Sequence, residues 1–506
     1  MCLDVGKIKN SLLYRKRKGQ KLKKKSVVYN FLMNVILTMS SFIFPLITFP
    51  YISRILLPVG TGKVSFATSI VNYFLLIAQL GIPTYGIRAC ARVRDDKEKL
   101  SKTVQEILLI NSIMCIIAYV LFFCALLVVP RFQEEKKLLL ITSASILFTT
   151  LGVEWLFKAL EMYSYITWRS IFFKCIAIVA MFLFVKEQKD YVIYGAISIF
   201  ASSASGILNF IYMHKLVDLR KRSKLEVKKH IKPILIFFAM SCATTVYLNL
   251  DTTMLGFMKT DADVGYYNAA VKIKNMLVSI VTSLGAVLLP RVTAYLANGE
   301  TEKFRNLSKK AISFVMFLAI PMLTYFIVFA KQGVLLLSGN EFEKSVLPMK
   351  IMMPTLLFIG LTNIMGIQIL VPLGKESKVL ASTVIGAIID LGLNFILIPK
   401  YSVAGAAIGT VTAEFVVFLY QYFADKDLFK ELFRNVTFWK YVVASIIAVL
   451  GSAWLLKFEL GYFVTLLLSC LCFGTVYLIC LLLLKEDFFF EVLEMVFSKI
   501  KKGNNS

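Results

Sequence analysis

Long apolar stretches recur along almost the whole chain, and each is long enough to cross a bilayer. A spanning helix needs roughly 20 consecutive, mostly apolar residues. The pattern resolves into about fourteen such stretches: 27–57, 63–84, 104–129, 138–160, 164–185, 190–213, 233–257, 264–296, 309–338, 347–372, 378–398, 403–424, 438–456 and 461–484. This predicts an all-α integral membrane protein. Composition leaves no soluble alternative: hydrophobic residues make up 58% of 506 and charged residues only 17%, too little polar surface to cover a water-soluble fold of this size. The first and eighth stretches exceed one straight crossing and predict a tilt or an extra turn of helix outside the bilayer.

Charge predicts the orientation. Residues 1–25 hold ten Lys or Arg against Asp4 alone. With this arm placed in the cytoplasm and the connections alternating from there, 41 of the 57 Lys and Arg fall on its side and 12 on the other. The positive-inside rule then puts both termini in the cytoplasm. The net charge of +26 would also suit nucleic acid, but no soluble basic domain exists to hold a duplex. The apolar stretch after residue 26 is too long for the core of a signal peptide, and no small-residue cleavage site follows it. The arm reads as a segment attracted to anionic lipid.

The sequence lacks the usual chemistry of an enzyme. The nine cysteines form no CxxC, and Cys470 and Cys472 sit in an apolar stretch where cysteine packs as a small residue. His214 and His230, the two histidines, both lie in one basic connection, and no metal constellation can be built on them. Gly60-Thr61-Gly62-Lys63 suggests a phosphate loop, but the full pattern needs Gly at 57 and Ser or Thr at 64, where Leu57 and Val64 stand. No ATPase domain is present, and the outward connections are too short to form a catalytic domain. Neither a catalytic residue nor a metal site is expected.

The chain repeats itself. At an offset of 203, Gly62 lands on Gly265, Ala67 on Ala270, Arg88 on Arg291 and Ala91 on Ala294; at 210, Tyr191, Gly195 and Ala196 land on Tyr401, Gly405 and Ala406. The unit holds six spans, an even number, so both copies run in the same direction and are related by an axis along the membrane normal. The expected organisation is a basic arm (1–26), a first lobe (27–213), a basic linker (214–232), a second lobe (233–424), two further spans (425–484) and a cytoplasmic tail (485–506). Duplicated lobes around a central cleft are suited to alternating access.

Ionisable residues at membrane depth are costly and mark candidate sites. The first half carries Glu154, Arg169 and Lys174; the second carries Asp251, Lys272, Lys274, Asp390 and Glu414. Arg54, Arg88 and Arg291 stand at span ends. Glu154 with Arg169 or Lys174, and Asp251 with Lys272, lie at matched depths on neighbouring spans. Either they neutralise each other, or they line a wet cavity. Lys272 and Lys274 are about 200° apart on one helix and cannot share a cavity; Lys272 is favoured because Asn268 lies one turn away. Arg54, Arg88, Lys272 and Arg291 are the candidates for an anionic headgroup, since the arginine fork suits phosphate. Glu154, Arg169, Lys174, Asp251, Asn268, Asp390 and Glu414 are the candidates for the cavity and for coupling. Gly405-Ala-Ala-Ile-Gly409 reads as a close helix crossing.

Several motifs resemble those of Wzx-type polysaccharide flippases, in the superfamily of the multidrug exporters and the peptidoglycan-precursor flippase. They are Pro50-Tyr-Ile-Ser-Arg54 through Gly60-Thr-Gly62-Lys-Val-Ser-Phe66-Ala; Leu80-Gly81-Ile82-Pro-Thr-Tyr85-Gly86-Ile-Arg88; Glu154-Trp155-Leu-Phe-Lys158-Ala-Leu160-Glu161; Tyr165-Ile-Thr-Trp-Arg169-Ser; and Asp251-Thr-Thr-Met-Leu-Gly256 followed by Val264-Gly265-Tyr266-Tyr267. The resemblance implies two six-helix lobes in a V, plus two C-terminal helices. It implies transfer of an undecaprenyl-pyrophosphate-linked oligosaccharide from the inner to the outer leaflet of the bacterial plasma membrane. One departure is local: the family commonly has Gly and an acidic residue where this chain has Leu57 and Val59.

The function expected is therefore flipping of lipid-linked oligosaccharide for surface polysaccharide. With no ATPase, a Na+ or H+ gradient or the membrane potential would drive it, at about 2.3 kcal/mol per charge per 100 mV. The partners implied are the lipid-linked sugar, the bilayer, and a polysaccharide polymerase or glycosyltransferases. Three rivals are a small-molecule cation antiporter on the same fold, a scaffold recruiting glycosyltransferases, and a membrane glycosyltransferase. The mixed charge of the cavity, the intramembrane ionisable residues and the lack of an acidic catalytic loop argue against them in turn.

Overall fold

Helix is the structure this sequence can form in hydrocarbon, because a helix satisfies its own backbone hydrogen bonds where water is absent. The computed structural model describes residues 27–494, apart from 221–224, 284, 435 and 459, and is helical without a strand among them. The basic arm, the middle of the linker and the last part of the tail lie outside the described residues.

The first half contains α1 (Val27–Gln79), α2 (Ile82–Val93), α3 (Lys97–Val128), α4 (Pro130–Glu134), α5 (Lys136–Gly152), α6 (Glu154–Ala159), α7 (Tyr163–Phe184), α8 (Tyr191–Ile199) and α9 (Ser205–Leu216). The second contains α10 (Lys228–Met258), α11 (Asp261–Thr282), α12 (Gly285–Ala297), α13 (Thr301–Val328), α14 (Ala330–Ser338), α15 (Val346–Met352), α16 (Thr355–Thr362), α17 (Glu376–Tyr401) and α18 (Val403–Ala424). Then follow α19 (Lys426–Phe433), α20 (Phe438–Ala453) and α21 (Tyr462–Leu483). Two π-helical segments, Phe200–Ala204 and Asn363–Leu370, interrupt the helices on either side of them.

Among the described residues, eleven helices are long and apolar enough to cross, or twelve if Asn340–Met352 and Thr355–Leu370, bent by 50°, form one span. The expected fourteen is not reached, for two reasons. The first two stretches merge into α1, whose 53 residues are broken at Leu57 (φ 58°, ψ 179°) ahead of Pro58. The eighth stretch, α11, carries Asp261, Asp263, Lys272 and Lys274, which lower its hydropathy below that of a simple span. Both would have to cross to make fourteen.

The helices are amphipathic in the inverted sense. The buried face of α17 is Ser382, Gly386, Asp390, Asn394 and Ile398, one turn apart. Its exposed face is Val384, Ile388, Leu391 and Phe395. Lipid takes the apolar side, and the polar side is turned into the protein, as membrane depth demands.

The lobes meet where α1 crosses α11. A side chain at Gly62 would run into the carbonyl of Asp261 and the amide of Gly265, and one at Gly265 into the carbonyl of Pro58. The two glycines that coincide in the sequence repeat thus face each other across the interface. Around this crossing Arg131 pairs with Asp261 and donates from Nε to the carbonyl of Gly256 at 3.3 Å. Arg54 donates to the carbonyl of Leu336 at 2.5 Å and Ser53 to that of Leu337 at 3.2 Å. At the other end of the bundle, α10 packs against the first lobe. His230 hydrogen-bonds Tyr85 at 2.6 Å and the buried Glu106 at 2.7 Å. A side chain at Gly81 would collide with the backbone of Phe237 and Phe238.

Candidate functional site

The polar face of α17 meets α18, α10 and α11 at one carboxylate. Asp251 of α10 is buried. Its Oδ1 accepts from Asn394 Nδ2 of α17 at 2.5 Å, and its Oδ2 accepts from Thr410 Oγ1 of α18 at 2.9 Å and from the Tyr267 hydroxyl of α11. Thr410 and Tyr267 lie 2.9 Å apart. One side chain thereby joins four helices. Asp390 lies one turn before Asn394 on α17, and Glu414 one turn after Thr410 on α18; both are buried. Gly409 allows the approach: a side chain there would strike Asn394 Oδ1 and Asp390 Oδ1, and one at Gly405 would strike the backbone of Leu397. The GxxxG of α18 is thus a close helix crossing, and the crossing holds the acidic cluster together.

The lysine in this cluster is Lys274, not Lys272. Lys274 is buried, and Glu414, then Asp251 and Asp390, act on it electrostatically. Among the described residues no carboxylate lies within ion-pair distance of it. Lys272 instead holds its Nζ 4.8 Å from the centre of the Phe49 ring on α1, in the interface between the lobes. The expected Asp251–Lys272 pair is therefore corrected: rotation of α11 about its axis turns Lys272 toward α1 and Lys274 toward α10, α17 and α18. Asn268 belongs with Thr252 of α10, to which it donates at 3.3 Å, and with the carbonyl of Val264 at 3.0 Å.

Tyr247 of α10 stands beside the cluster, its ring approaching Gly386 of α17, and its buried hydroxyl has no hydrogen-bond partner among the described residues. Asp390 Oδ1 and Asn394 Oδ1 have no hydrogen-bond partner among the described residues, and both face Gly409. Buried polar atoms are nearly always satisfied. Unpaired carboxylate and amide oxygens are the ligands that a hard cation or a proton takes. No three His, Cys, Asp or Glu among the described residues stand close enough to chelate a metal by themselves; the set here mixes carboxylate, amide and hydroxyl oxygens.

In the first lobe, Glu154 pairs with Arg169 at 3.5 Å and with Lys158 at 2.8 Å. Arg169 is buried beside the Tyr165 ring. Of the two partners foreseen for Glu154, Arg169 is the one that meets it. Lys174 donates to Ser40 Oγ at 2.9 Å and Ser41 Oγ at 3.0 Å on α1. Arg54 spends its guanidinium on the carbonyls of Pro50 and Leu336. Arg88 is exposed and lies over the Phe237 ring of α10, and Arg291 is exposed on α12. The structure thus unites Asp251, Asp390 and Glu414, and leaves Arg54, Arg88, Lys272 and Arg291 in separate places. Sequence reasoning missed Tyr267, Thr410, Asn394 and Tyr247. Uncharged polar residues give no cost signal by themselves; polar residues spaced by four, seven or eight positions, and so on one helix face, at 382, 390 and 394 on α17 and 410, 414 and 421 on α18, are the signal that would have found most of them.

Comparison with known proteins agrees with this architecture. The chain is 23% identical over 380 residues to the "Putative O-antigen transporter" of Escherichia coli (strain K12), covering 75% of this chain and 91% of that one. It is 24% identical over 415 residues to the protein of the same description in Shigella dysenteriae, covering 80% and 100%. Among solved structures, the lipid II flippase MurJ in an inward closed conformation superposes with a TM-score of 0.72 at 17% identity, covering 89% of this chain and 97% of that one. An inward-facing multidrug resistance MATE transporter of the MOP superfamily gives 0.59 at 14% identity, covering 78% and 99%. The MatE family model matches residues 236–396. The model of the family described as polysaccharide biosynthesis protein matches residues 27–296, over half of the chain, and the chain belongs to that family.

Proposed function

We propose that this protein carries undecaprenyl-pyrophosphate-linked oligosaccharide from the inner to the outer leaflet of the bacterial plasma membrane by alternating access, coupled to a cation gradient. Both termini would be cytoplasmic, as the charge distribution implies. The relatives described as O-antigen transporters support the substrate class. The observation that carries the reading is a pair of uncompensated lysines at membrane depth. Among the described residues, neither Lys174 nor Lys272 has a carboxylate within 4 Å. Their ammonium groups meet serine hydroxyls and an aromatic face, both along the first leg of α1. Ser41 and Phe49 are eight residues apart, about 12 Å along a helix. An unpaired cation in low dielectric is costly, and a diphosphate headgroup would neutralise it. The prenyl tail would stay in lipid.

The acidic cluster supplies the coupling. Asp251, Asp390 and Glu414 against the single Lys274 carry excess negative charge if all are ionised, and a proton or Na+ would balance it. The same carboxylates also suit a cation antiporter, the second reading, and the two lysines on α1 separate the readings. In a flippase-null strain, Lys174→Met with Lys272→Met should abolish surface polysaccharide while the protein still inserts, and lipid-linked oligosaccharide should accumulate. Wild-type export by the well-inserted double variant would reject the headgroup role. Restored resistance to cationic drugs, with no polysaccharide, would favour the antiporter.

A further inference from the structure

We infer that the second lobe contains its own route for the coupling cation, running from Asp251 along the seam between α17 and α18 to Gln421 and the π-helical segment Asn363–Leu370. The inference rests on the cation-coupling reading above and extends it to a path that reading does not require.

The seam is polar over most of its length. On α17, Asn394, Asp390, Gly386 and Ser382 follow one another at one-turn intervals on the buried face. On α18, Thr410, Glu414, Val417 and Gln421 face them. Ser382 to Asn394 is twelve residues, about 18 Å of helix, more than half of a hydrocarbon core of about 30 Å. At the far end Gln421 Nε2 donates to Ser382 Oγ at 3.1 Å.

Unpaired acceptors mark the route. Asp390 Oδ1, Asn394 Oδ1 and Gln421 Oε1 have no partner among the described residues. These residues are 1%, 0% and 3% exposed, so lipid headgroups and bulk water do not reach them. All three are oxygens, and together with the unpaired Tyr247 hydroxyl, whose ring approaches Gly386, they offer a cation the oxygen ligands it takes. The amide assignments are consistent: Asn394 must present its nitrogen to the Asp251 carboxylate, which leaves its oxygen toward Gly409.

Glycine stands opposite the polar groups. A side chain at Gly409 would strike Asn394 and Asp390, one at Gly366 would meet the Gln421 amide, and one at Gly386 would strike Val417 and approach the Tyr247 ring. The Gly386–Val417 contact is the apolar step of the seam and divides its acidic part from its amide part. The π-helix lies at the amide end, where Val371 donates to Gly366 and Lys375 to Leu370, each five residues back. Such π segments are frequent at functional sites.

The first lobe serves as an internal control. At the 210 offset, Asp390, Asn394, Thr410 and Glu414 correspond to Ala180, Phe184, Phe200 and Ala204. Phe200 and Ala204 line an apolar cavity of about 440 Å³ with Phe148 and Phe173. The matching helices of the first lobe therefore do without a polar seam, and among the described residues it is the second lobe that has one.

The test uses the full chain in proteoliposomes, reading tracer Na+ influx, internal pH with an entrapped dye, and the cation-dependent shift in melting temperature. Asp251→Asn should abolish both the flux and the shift for whichever cation is coupled. Gln421→Leu should keep the shift and slow the flux at least tenfold. If Asp251→Asn leaves flux and shift intact, the coupling reading fails and the route fails with it. If Asp251→Asn is inactive but Gln421→Leu conducts at the wild-type rate, coupling stands and the route is overturned, the cation leaving through the cleft between the lobes. Should Gln421→Leu insert poorly, Ser382→Cys in a cysteine-free background provides the second measurement. Reaction with a small cationic thiol reagent, slowed by saturating coupled cation, is expected; no reaction overturns the route.

Discussion

The two lobes are built on one repeated plan and treat the same place in opposite ways. In the second lobe, Asp251, Tyr267, Lys274, Asp390, Asn394, Thr410 and Glu414 draw four helices around buried charge. Their counterparts at the 203 and 210 offsets are Thr48, Val64, Val71, Ala180, Phe184, Phe200 and Ala204. Thr48, the polar one, spends its hydroxyl on the carbonyl of Phe44 in its own helix, at 2.9 Å. Hydrocarbon packing thus suffices at this place in the first lobe. Charge at the matching place in the second lobe is therefore an addition to the fold, retained at a desolvation cost, which points to function. The uncompensated Lys174 and the Glu154–Arg169 pair lie elsewhere in the first lobe.

The largest effect should come from the centre of this contrast. Asp251→Ala orphans donors on Tyr267, Thr410 and Asn394, each costing about 1–3 kcal/mol if left buried. Export per inserted molecule should fall by more than a hundredfold, whereas Thr48→Ala should leave it within a factor of two. Surface polysaccharide normalised to membrane protein measures both, and equal losses would end the distinction between the lobes.

Next in size is the crossing where the lobes touch. Gly62→Val and Gly265→Val each force a side chain into the other's backbone. Both variants should open this face, exposing a cysteine placed at Ser53 to an impermeant thiol reagent at least tenfold faster. If one variant opens it and the other does not, the crossing is not shared as the repeat suggests.

Phe200→Ala should then separate stability from coupling. It enlarges the apolar cavity of the first lobe and should lower stability by about 2 kcal/mol, less than a fully buried truncation. The dependence of export on Na+ or pH should not move. A changed cation dependence would mean that the first lobe also takes part in coupling.

The smallest effect concerns the turns that precede the two crossing helices. Leu57 is held at φ 58°, a region that favours glycine and costs other residues about 1–3 kcal/mol. Its counterpart Thr260 sits at φ −93° and caps α11 through Asp263. Leu57→Gly should raise the melting temperature by a few degrees, the relief slightly exceeding the lost side-chain contact, and Thr260→Ala should lower it through loss of about 1 kcal/mol of capping. A fall in melting temperature for Leu57→Gly would show that packing of the side chain outweighs the strain.

Helix α10 touches both lobes. Its first turns are pinned to Tyr85, Glu106 and Arg88 of the first lobe, while Asp251 near its other end anchors the second lobe. The sequence marks the basic connection before it, because charge is visible in one dimension; it does not show which lobe the connection packs against.

By itself the sequence determined that this chain crosses a membrane many times. It also singled out Asp251, Asp390 and Glu414 as residues of consequence. Those properties follow from costs that each residue meets alone: apolar length against bilayer thickness, and charge against hydrocarbon. Tertiary structure decided which of those charges meet. Lys274 and Lys272 stand two residues apart at nearly the same depth, yet one enters the acidic cluster and the other rests on Phe49. The direction in which a helix turns its faces is set by the neighbours it packs against, here the glycine crossings at Gly62, Gly265 and Gly409. Those contacts join residues hundreds of positions apart, and they also place Tyr267, Thr410 and Asn394 around Asp251, where no cost of their own had announced them.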